Sequence, residues 1–267
     1  VEVVNDLELT AALADLRPGD HLLLAPTTFT LPVYLQGKSG APDAPIVLRS
    51  RDAGRRAVLK GGMHVVQSRH VMIHDLELVG GGGLKLRGAQ YCDVVGNVIR
   101  ESGGTIGSYA IHLSHNELIE GENQNFHILI QGNELIEEEN SNSERAWGAF
   151  PDQTYYGIKH DDGVGGMVII CNNVIRGFAD GIAPGGDEGE APVLGPDAMD
   201  LLETWPNQNV DIHDNVIDDV SDDGIELDGH LVNARVFRNT IGLSRNAITA
   251  APVYPGPIFI VRNTLHG

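Results

Sequence analysis

The chain has 267 residues, a formal net charge of −19 and two cysteines. Its 37 acidic residues against 18 basic ones argue against nucleic acid or an anionic membrane surface as the partner, and no apolar run reaches the roughly 18–20 residues of a membrane span. Thirty-three glycines and only 5% aromatic residues predict tight bends around a thin aliphatic core. The two cysteines lack the spacing of metal ligands, so we expect buried thiols.

The first predicted elements are a helix over Leu7–Leu16, a turn at Pro18-Gly19-Asp20 and a short strand at Leu22–Leu24. Further short apolar strands follow at Leu31–Leu35 and Ile46–Leu48. The first segment is the best candidate in the chain for a helical period. We therefore expect a short helix that caps one end of a structure otherwise built from strands.

A frame around an asparagine repeats through the rest of the chain. The positions five and three residues before it, and two after it, are small or apolar in every copy. Such a pattern suits short strands separated by a bend, and Asn suits the bend because it tolerates left-handed backbone and can bond to the Asn of the next copy. Spacings of 36, 40, 42, 24 and 24 residues predict a solenoid with insertions. The anchors are Asn97, Asn133, Asn173, Asn215, Asn239 and Asn263.

A second row supports the same architecture. After each corner the chain returns to a small residue followed by Ile, at a regular offset from the Asn in the uninterrupted copies. Two strands per turn at fixed offsets predict a coil and not an alternation of helices and strands. The pairs are Ala110-Ile111, Gly157-Ile158, Gly181-Ile182, Gly224-Ile225 and Ala247-Ile248.

The order of helix, Pro-Gly-Asp turn, strands and repeats resembles the right-handed parallel β-helix proteins of the pectate-lyase-like superfamily. The N-terminal region is particularly similar to polysaccharide lyases of the alginate lyase and chondroitinase B type. The resemblance implies an all-β, right-handed parallel β-helix (a solenoid of PbH1-type repeats) with a short N-terminal capping helix. It covers one domain over 1–267, with the cap and first coil in about 1–60 and repeat coils in 61–267. Because the superfamily includes lyases, hydrolases, epimerases and adhesive shafts, it implies the fold more than the activity.

The two ends of the chain carry further expectations. The chain starts at Val1 without Met, as a processed product would, and we expect a secreted, extracellular or periplasmic protein. At the other end it stops at Gly267, two residues after the inward Leu265, with no capping segment. An uncovered coil exposes apolar side chains and unpaired edges. We therefore expect a truncated chain, or an oligomer in which another subunit covers this coil.

The residues one and three places after each return Ile are predicted to face outward, because strand side chains alternate. Rungs about 4.8 Å apart would stack them into one column of functional groups. Its densest segments are Lys159-His160-Asp161-Asp162 and the acidic run 222–228. The predicted column contains Lys85, Arg87, His112, Lys159, Asp161, Glu226 and Asp228.

Two predicted loop insertions, near 137–156 and 185–207, flank this column. Long loops on one face of a repeat scaffold are a usual place for a binding site, and aromatic faces suit sugar stacking. We therefore predict a polysaccharide or oligosaccharide groove over this face. Its predicted substrate-binding residues are Lys85, His160, Trp147, Tyr155, Tyr156 and Trp205.

The first chemistry that fits is a calcium-assisted lyase reaction. Carboxylates at Asp222, Asp223, Glu226 and Asp228 are hard oxygen ligands for Ca²⁺, which would neutralise a uronate carboxylate. Lys159 or His112, with Arg87 nearby, would then take the α-proton in a β-elimination. The similar lyases use a Lys base, an Arg acid and Ca²⁺. Their Glu-x-x-x-Lys run has no counterpart here, since Leu227, Asp228, Gly229 and His230 follow Glu226.

The second chemistry is glycoside hydrolysis by a carboxylate pair, with Asp161 or Asp162 opposite Glu226 or Asp223. A third possibility is a non-catalytic carbohydrate-binding or adhesive shaft. The sequence favours an extracellular carbohydrate-active enzyme, and the lyase over the hydrolase, because basic and acidic groups share the column. The predicted catalytic residues are Lys159, His112, Arg87, Asp161, Asp162 and Glu226.

Overall fold

The computed structural model describes residues 1–102, 108–114, 125–137, 155–161, 165–185, 207–250 and 253–266. These residues form one helix and three parallel sheets. Successive turns of the chain add one strand after another to each sheet, and all pairs of named strands are parallel. The architecture is the right-handed parallel β-helix that the sequence predicted.

Sheet 1 has 12 strands. They are β1 (Glu2–Val3), β2 (His21–Leu24), β5 (Ile46–Ser50), β8 (Val71–His74), β11 (Gln90–Val95), β14 (Asn125–Gln131), β17 (Gly165–Cys171), β20 (Asn207–His213), β23 (Gly229–Val232), β24 (Ala234–Phe237), β27 (Val253–Pro255) and β28 (Ile258–Val261).

Sheet 2 has eight strands and carries the predicted functional column. They are β4 (Val33–Gln36), β7 (Met63–Val66), β10 (Leu84–Arg87), β13 (Ser108–Ser114), β16 (Tyr155–His160), β19 (Asp180–Ala183), β22 (Asp223–Glu226) and β26 (Asn246–Thr249).

Sheet 3 has nine short strands, and the last six of them follow the asparagine anchors. They are β3 (Thr28–Phe29), β6 (Val58–Leu59), β9 (Glu77–Val79), β12 (Val98–Arg100), β15 (Glu134–Ile136), β18 (Val174–Arg176), β21 (Val216–Asp218), β25 (Thr240–Ile241) and β29 (Thr264–Leu265).

The repeated asparagines form a continuous amide ladder at the corner between sheets 1 and 3. Asn133 donates its side-chain N–H to Asn173 Oδ1 (3.0 Å), and Asn173 does the same to Asn215 Oδ1 (2.9 Å). Each of these oxygens also accepts the backbone N–H of the preceding Asn. The left-handed backbone predicted at the corner belongs to the residue before each anchor, for example Asn172 (φ 56°) and Asp214 (φ 56°), and not to the anchor itself. The ladder therefore satisfies buried polar groups that the bend would otherwise orphan.

The row of small residues before each return Ile has a steric cause. A Cβ added at Gly181 would lie 2.7 Å from Cγ2 of Ile217, and one added at Gly224 would lie 2.6 Å from Cγ2 of Ile241. The Gly and the following Ile thus both face the core, which breaks the alternation once per coil. As a result, the residue before each Gly returns to the outer face of sheet 2.

The predicted N-terminal cap is α1 (Asp6–Ala14). Asn5 caps it by accepting a hydrogen bond from the backbone N–H of Glu8 (2.9 Å). Leu9 is 3% exposed in the core, and Ala12 and Leu13 pack against the same core. Together these apolar side chains cover the first coil, as the sequence predicted.

The last coil contrasts with the interior coils. Leu265 is 56% exposed although Ile241, its partner in the preceding coil, is fully buried. The expectation that another subunit covers this coil stays a prediction.

Cys92 and Cys171 are buried free thiols, as predicted. In the described residues no helix has the length and hydrophobicity needed to cross a bilayer.

Candidate functional site

Three predicted site residues on sheet 2 are direct neighbours. Lys85 on β10 pairs in register with His112 on β13, which pairs with Lys159 on β16. The column continues through Ala183 on β19, and Glu226 follows Ile225, the register partner of Ile182. Residues scattered over more than 140 positions of the chain therefore lie on one face of one sheet.

A second outward column runs beside the first, made by the residues before the small-residue row. The Tyr109 ring stacks on His112 with centroids 4.0 Å apart, and Lys159 Nζ lies 4.5 Å from the centroid of Tyr156. These contacts show that both columns share a face. The second column is Tyr109, Tyr156, Asp180, Asp223 and Asn246.

Sequence reasoning missed Tyr109 and Asp180. The signal for Asp180 was present, because Asp-Gly-Ile occurs at 180–182 and again at 223–225. Counting outward positions only after each Ile leaves out the residue before Gly181. Because two consecutive residues of each coil face inward, that residue faces outward.

His112 and Asp161 form a hydrogen-bonded pair, with 2.9 Å between Nε2 and Oδ1. An ionised carboxylate only accepts hydrogen bonds, so Nε2 carries the proton of the neutral ring and Nδ1 carries the lone pair. Within the described part of the chain, Nδ1 has no hydrogen-bond partner. A carboxylate that orients an imidazole in this way is the usual arrangement of a general base.

Lys159 is 1% exposed, although it stands on the outer face of the coil. Burying an ammonium group is costly unless aromatic faces or carboxylates surround it. Tyr156 supplies the aromatic face. The Lys159 amine also lies close enough to Asp180 to act on the pKa of that carboxyl group, which it lowers. Such a buried lysine is a candidate functional group on physical grounds.

Asp180 is a buried carboxyl group between an amine and two other carboxylates. Its pKa is raised to about 7, mainly by burial. A hydrogen bond from the backbone N–H of Asp223 (3.0 Å) acts in the opposite direction, and the nearby charges of Asp222 and Asp223 contribute to the rise. A proton is therefore available on this side chain near neutral pH.

The basic end of the site contains Lys85 and Arg87 on β10. Burial lowers the pKa of Lys85, the neighbouring Arg87 cation lowers it further, and Asp161 acts in the opposite direction. Arg87 lies 3.5 Å from the Ser114 hydroxyl. The pair forms a partly buried cationic patch one rung from His112.

The predicted contact between His160 and substrate is wrong. His160 pairs in register with Leu113, whose row faces the core, and its side chain is fully buried. Burial lowers its pKa to about 3, so the ring is neutral. Alternation between two outward residues, Lys159 and Asp161, puts it on the inner face.

The four predicted calcium ligands do not form a ready metal site. Asp222 faces Arg245 at 3.4 Å, and Asp223 accepts hydrogen bonds from Asn246 (2.7 Å) and Thr249 (2.5 Å). Glu226 and Asp228, in the same acidic segment, are both buried. Over the described ranges, no three His, Cys, Asp or Glu side chains are grouped so that they could hold a metal ion. Asp222 and Asp223 are thus already engaged by these neighbours, and calcium binding stays a prediction.

The remaining predicted site residues differ in whether the structure describes their side chains. Asp162, Trp147 and Trp205 lie outside the described residues, and for Tyr155 the structure describes the backbone alone. Tyr156 is described and lies in the site, beneath the Lys159 amine. Of the four aromatic residues predicted to bind substrate, Tyr156 is therefore the one whose side chain the structure describes.

Comparison with solved structures identifies the fold. An alginate lyase from Paenibacillus sp. str. FPU-7 aligns with a TM-score of 0.51 and 15% identity, over 99% of this chain and 98% of that one. A rhamnogalacturonan lyase aligns with a TM-score of 0.57 and 11% identity, over 98% and 87%. No protein-family model matches the chain, and a search of curated proteins finds no match.

The chain therefore has the same parallel β-helix fold as these two structures. The two similar structures are polysaccharide lyases. At these identities the likeness establishes the fold, and the activity has to be argued from the site itself.

Proposed function

We propose that this protein is a polysaccharide lyase that cleaves a uronate-containing glycan by β-elimination on the outer face of sheet 2. The observation that carries the proposal is the hydrogen-bonded pair of His112 and Asp161, in which His112 stands in register between Lys85 and Lys159. One face thus combines an oriented base with cations on both sides. The similar structures, an alginate lyase and a rhamnogalacturonan lyase, support the same reaction class.

The reaction needs two proton transfers. His112 Nδ1 takes the proton α to the uronate carboxyl group, and the electron pair of that C–H bond forms the new carbon–carbon double bond. The bond to the glycosidic oxygen at the β-position breaks, and this oxygen takes a proton as it leaves. Lys159, one rung away on β16, donates that proton from its ammonium group.

Electrostatics favours this assignment of roles. Lys85 and Arg87 bind the uronate carboxylate, which makes the α-proton more acidic and stabilises the charge that develops. His112 and Lys159 are both largely buried, so water screens poorly the charges that change when they exchange protons with substrate. No step requires a metal ion.

The first test replaces the proposed base. His112→Gln should lower the rate of unsaturated product formation about 100-fold or more, because general bases contribute at least this much. The rate is followed by the ultraviolet absorbance of the unsaturated sugar, on alginate, polygalacturonate and rhamnogalacturonan. Lys159→Met should have a similar effect.

His127→Gln is the matched control, because His127 is a half-buried stacked histidine on sheet 1, away from the column. It should keep the wild-type rate. The proposal fails if His112→Gln and Lys159→Met both keep full activity while their melting curves match the wild type. Repeating the wild-type assay with EDTA tests the separate prediction of calcium assistance.

Asp180 favours a second candidate, a glycoside hydrolase. A carboxyl group with a pKa near 7 beside Asp223 resembles the protonated acid and ionised partner of a carboxylate pair. A hydrolase would release reducing ends without ultraviolet absorbance, and Asp180→Asn would abolish that release. A carbohydrate-binding shaft would give neither product.

Since polysaccharides of this kind lie outside cells, either enzyme is proposed to act in the extracellular space or periplasm.

A further inference from the structure

The functional column does not end at Lys85. On the N-terminal side, Lys85 pairs in register with His64 on β7, and His64 pairs with Tyr34 on β4. These three residues therefore continue the row of His112 and Lys159 toward the capped end of the coil. Tyr34 lies three rungs from His112, or about 14 Å at the usual strand spacing.

Tyr34 and His64 form an exposed aromatic platform on this row. Their ring centroids are 4.7 Å apart and their planes differ by 13°, so the rings are stacked. Tyr34 is 57% exposed. A flat ring that is backed by a second ring and open to solvent is suited to bind the apolar face of a sugar.

The charges along the row favour one direction for an acidic polysaccharide. The rungs on the N-terminal side of His112 carry Lys85 and Arg87, and burial together with these two cations lowers the pKa of His64, which keeps that ring neutral. The rungs on the C-terminal side of Lys159 carry buried acidic side chains, at Asp180, Asp223, Glu226 and Asp228. A polyanion is attracted by the first group and repelled by the second.

We propose that Tyr34, supported by His64, is a distal sugar-binding subsite for an acidic polysaccharide chain that extends from His112 across Lys85 toward the N-terminal coils. This inference rests on the proposed function, because it assumes that the bond to be cleaved lies at His112 and Lys159. It adds a direction for the bound chain and a minimum length for full affinity. The spacing between rungs is close to the length of one sugar in an extended chain, so a chain must span several sugars to reach Tyr34.

The experiment compares oligouronides of two and five sugars, prepared from alginate and polygalacturonate. Binding is measured by calorimetry on proteins that also carry His112→Gln, so that cleavage does not consume the ligand. Tyr34→Ala should weaken pentamer binding about tenfold and leave dimer binding unchanged, because only the pentamer reaches this platform. Tyr34→Phe should keep pentamer affinity, since it retains the ring and its stacking.

Tyr91→Ala is the matched control. Tyr91 is also an exposed tyrosine stacked between neighbouring rings, His70 and His127, but it stands on sheet 1. It should bind the pentamer as the parent protein does. The subsite is refuted if Tyr34→Ala keeps pentamer affinity, or if Tyr91→Ala loses as much.

Failure of the proposed function gives a different result. If the parent protein binds neither the dimer nor the pentamer and the wild type releases no unsaturated product, both the lyase and the subsite are wrong. If the wild type cleaves uronate chains and Tyr34→Ala binds the pentamer normally, only the subsite is wrong.

Discussion

His160 shows how strongly one residue depends on which face of a strand it occupies. Its neighbours along β16, Lys159 and Asp161, point outward, whereas His160 lies over Leu113 inside the coil. In the described part of the chain neither ring nitrogen has a hydrogen-bond partner. The pKa of His160 is lowered to about 3, mainly by burial, while Asp161 acts in the opposite direction and the nearby Lys159 amine contributes to the lowering. The fold therefore holds this ring neutral.

Replacing His160 with Leu should make the protein less sensitive to acid. The unfolded chain takes up a proton at this histidine below about pH 6.5, whereas the folded chain does so only near pH 3. Protonation in this range therefore favours the unfolded state, so the folded protein has its full stability above pH 6.5 and loses stability as the pH falls. Between pH 6 and 4 the wild type should lose roughly 1 kcal/mol more per pH unit than His160→Leu.

Urea unfolding at pH 8, 6, 5 and 4 measures this difference. Above pH 7 the stabilities of the two proteins should run parallel with pH. Equal losses between pH 6 and 4 would mean that His160 accepts a proton in the folded state, and the account of its burial would be wrong.

At the scale of an element, the side chains of α1 that face the core decide what the helix can do. Its buried face packs on the first coil through Leu9, while Leu7, two residues earlier, is 81% exposed. A parallel coil leaves its terminal apolar layer open to water unless something covers it. The helix supplies that cover, and Asn5 fixes where it starts.

Leu9→Ala should lower the free energy of unfolding by about 2–4 kcal/mol, because it leaves a cavity between the helix and the first coil. Leu7→Ala is the matched control and should change it by less than about 0.5 kcal/mol, as expected for an exposed site. Chemical denaturation of both variants provides the measurement. Similar losses in the two variants would mean that α1 does not cap the core as described.

At the scale of the whole molecule, stability is spread over stacked coils that each contact only their neighbours. The last full coils repeat at 24 residues, as Asn215 and Asn239 show in the ladder. Val216 pairs with Thr240 and Ile217 with Ile241 at the same interval. A segment of this length can therefore be removed without shifting the register of what remains.

Deletion of residues 216–239 should give a protein that still folds cooperatively into an all-β structure with a lower melting temperature. Deletion of residues 216–227 removes half a coil, so it should abolish the cooperative transition by turning inward residues toward solvent. Circular dichroism during heating distinguishes the two. A 24-residue deletion that fails to fold would contradict the view of independent, stacked coils.

Much of this could be predicted from the sequence, because the repeat is local. Asn97 to Asn263, with their apolar flanks, predicted the coils, and Leu7–Leu16 predicted the cap. The column of Lys85, His112 and Lys159 followed from counting residues after each Ile. The His112–Asp161 hydrogen bond joins side chains of adjacent rungs, and counting brought them to one face without predicting their contact.

The sequence by itself determined which residues recur, and recurrence in a solenoid dictates which residues become neighbours. Only the tertiary structure decided which way several of them point. A close contact between Gly181 and the Ile217 methyl group requires two consecutive inward residues, and this places Asp180 and Tyr156 in the site. The alternation that resumes after Ile158 places His160 in the core. The sequence repeats a small residue at this position, but the reason that it must be small and face inward lies in a contact between coils and not along the chain.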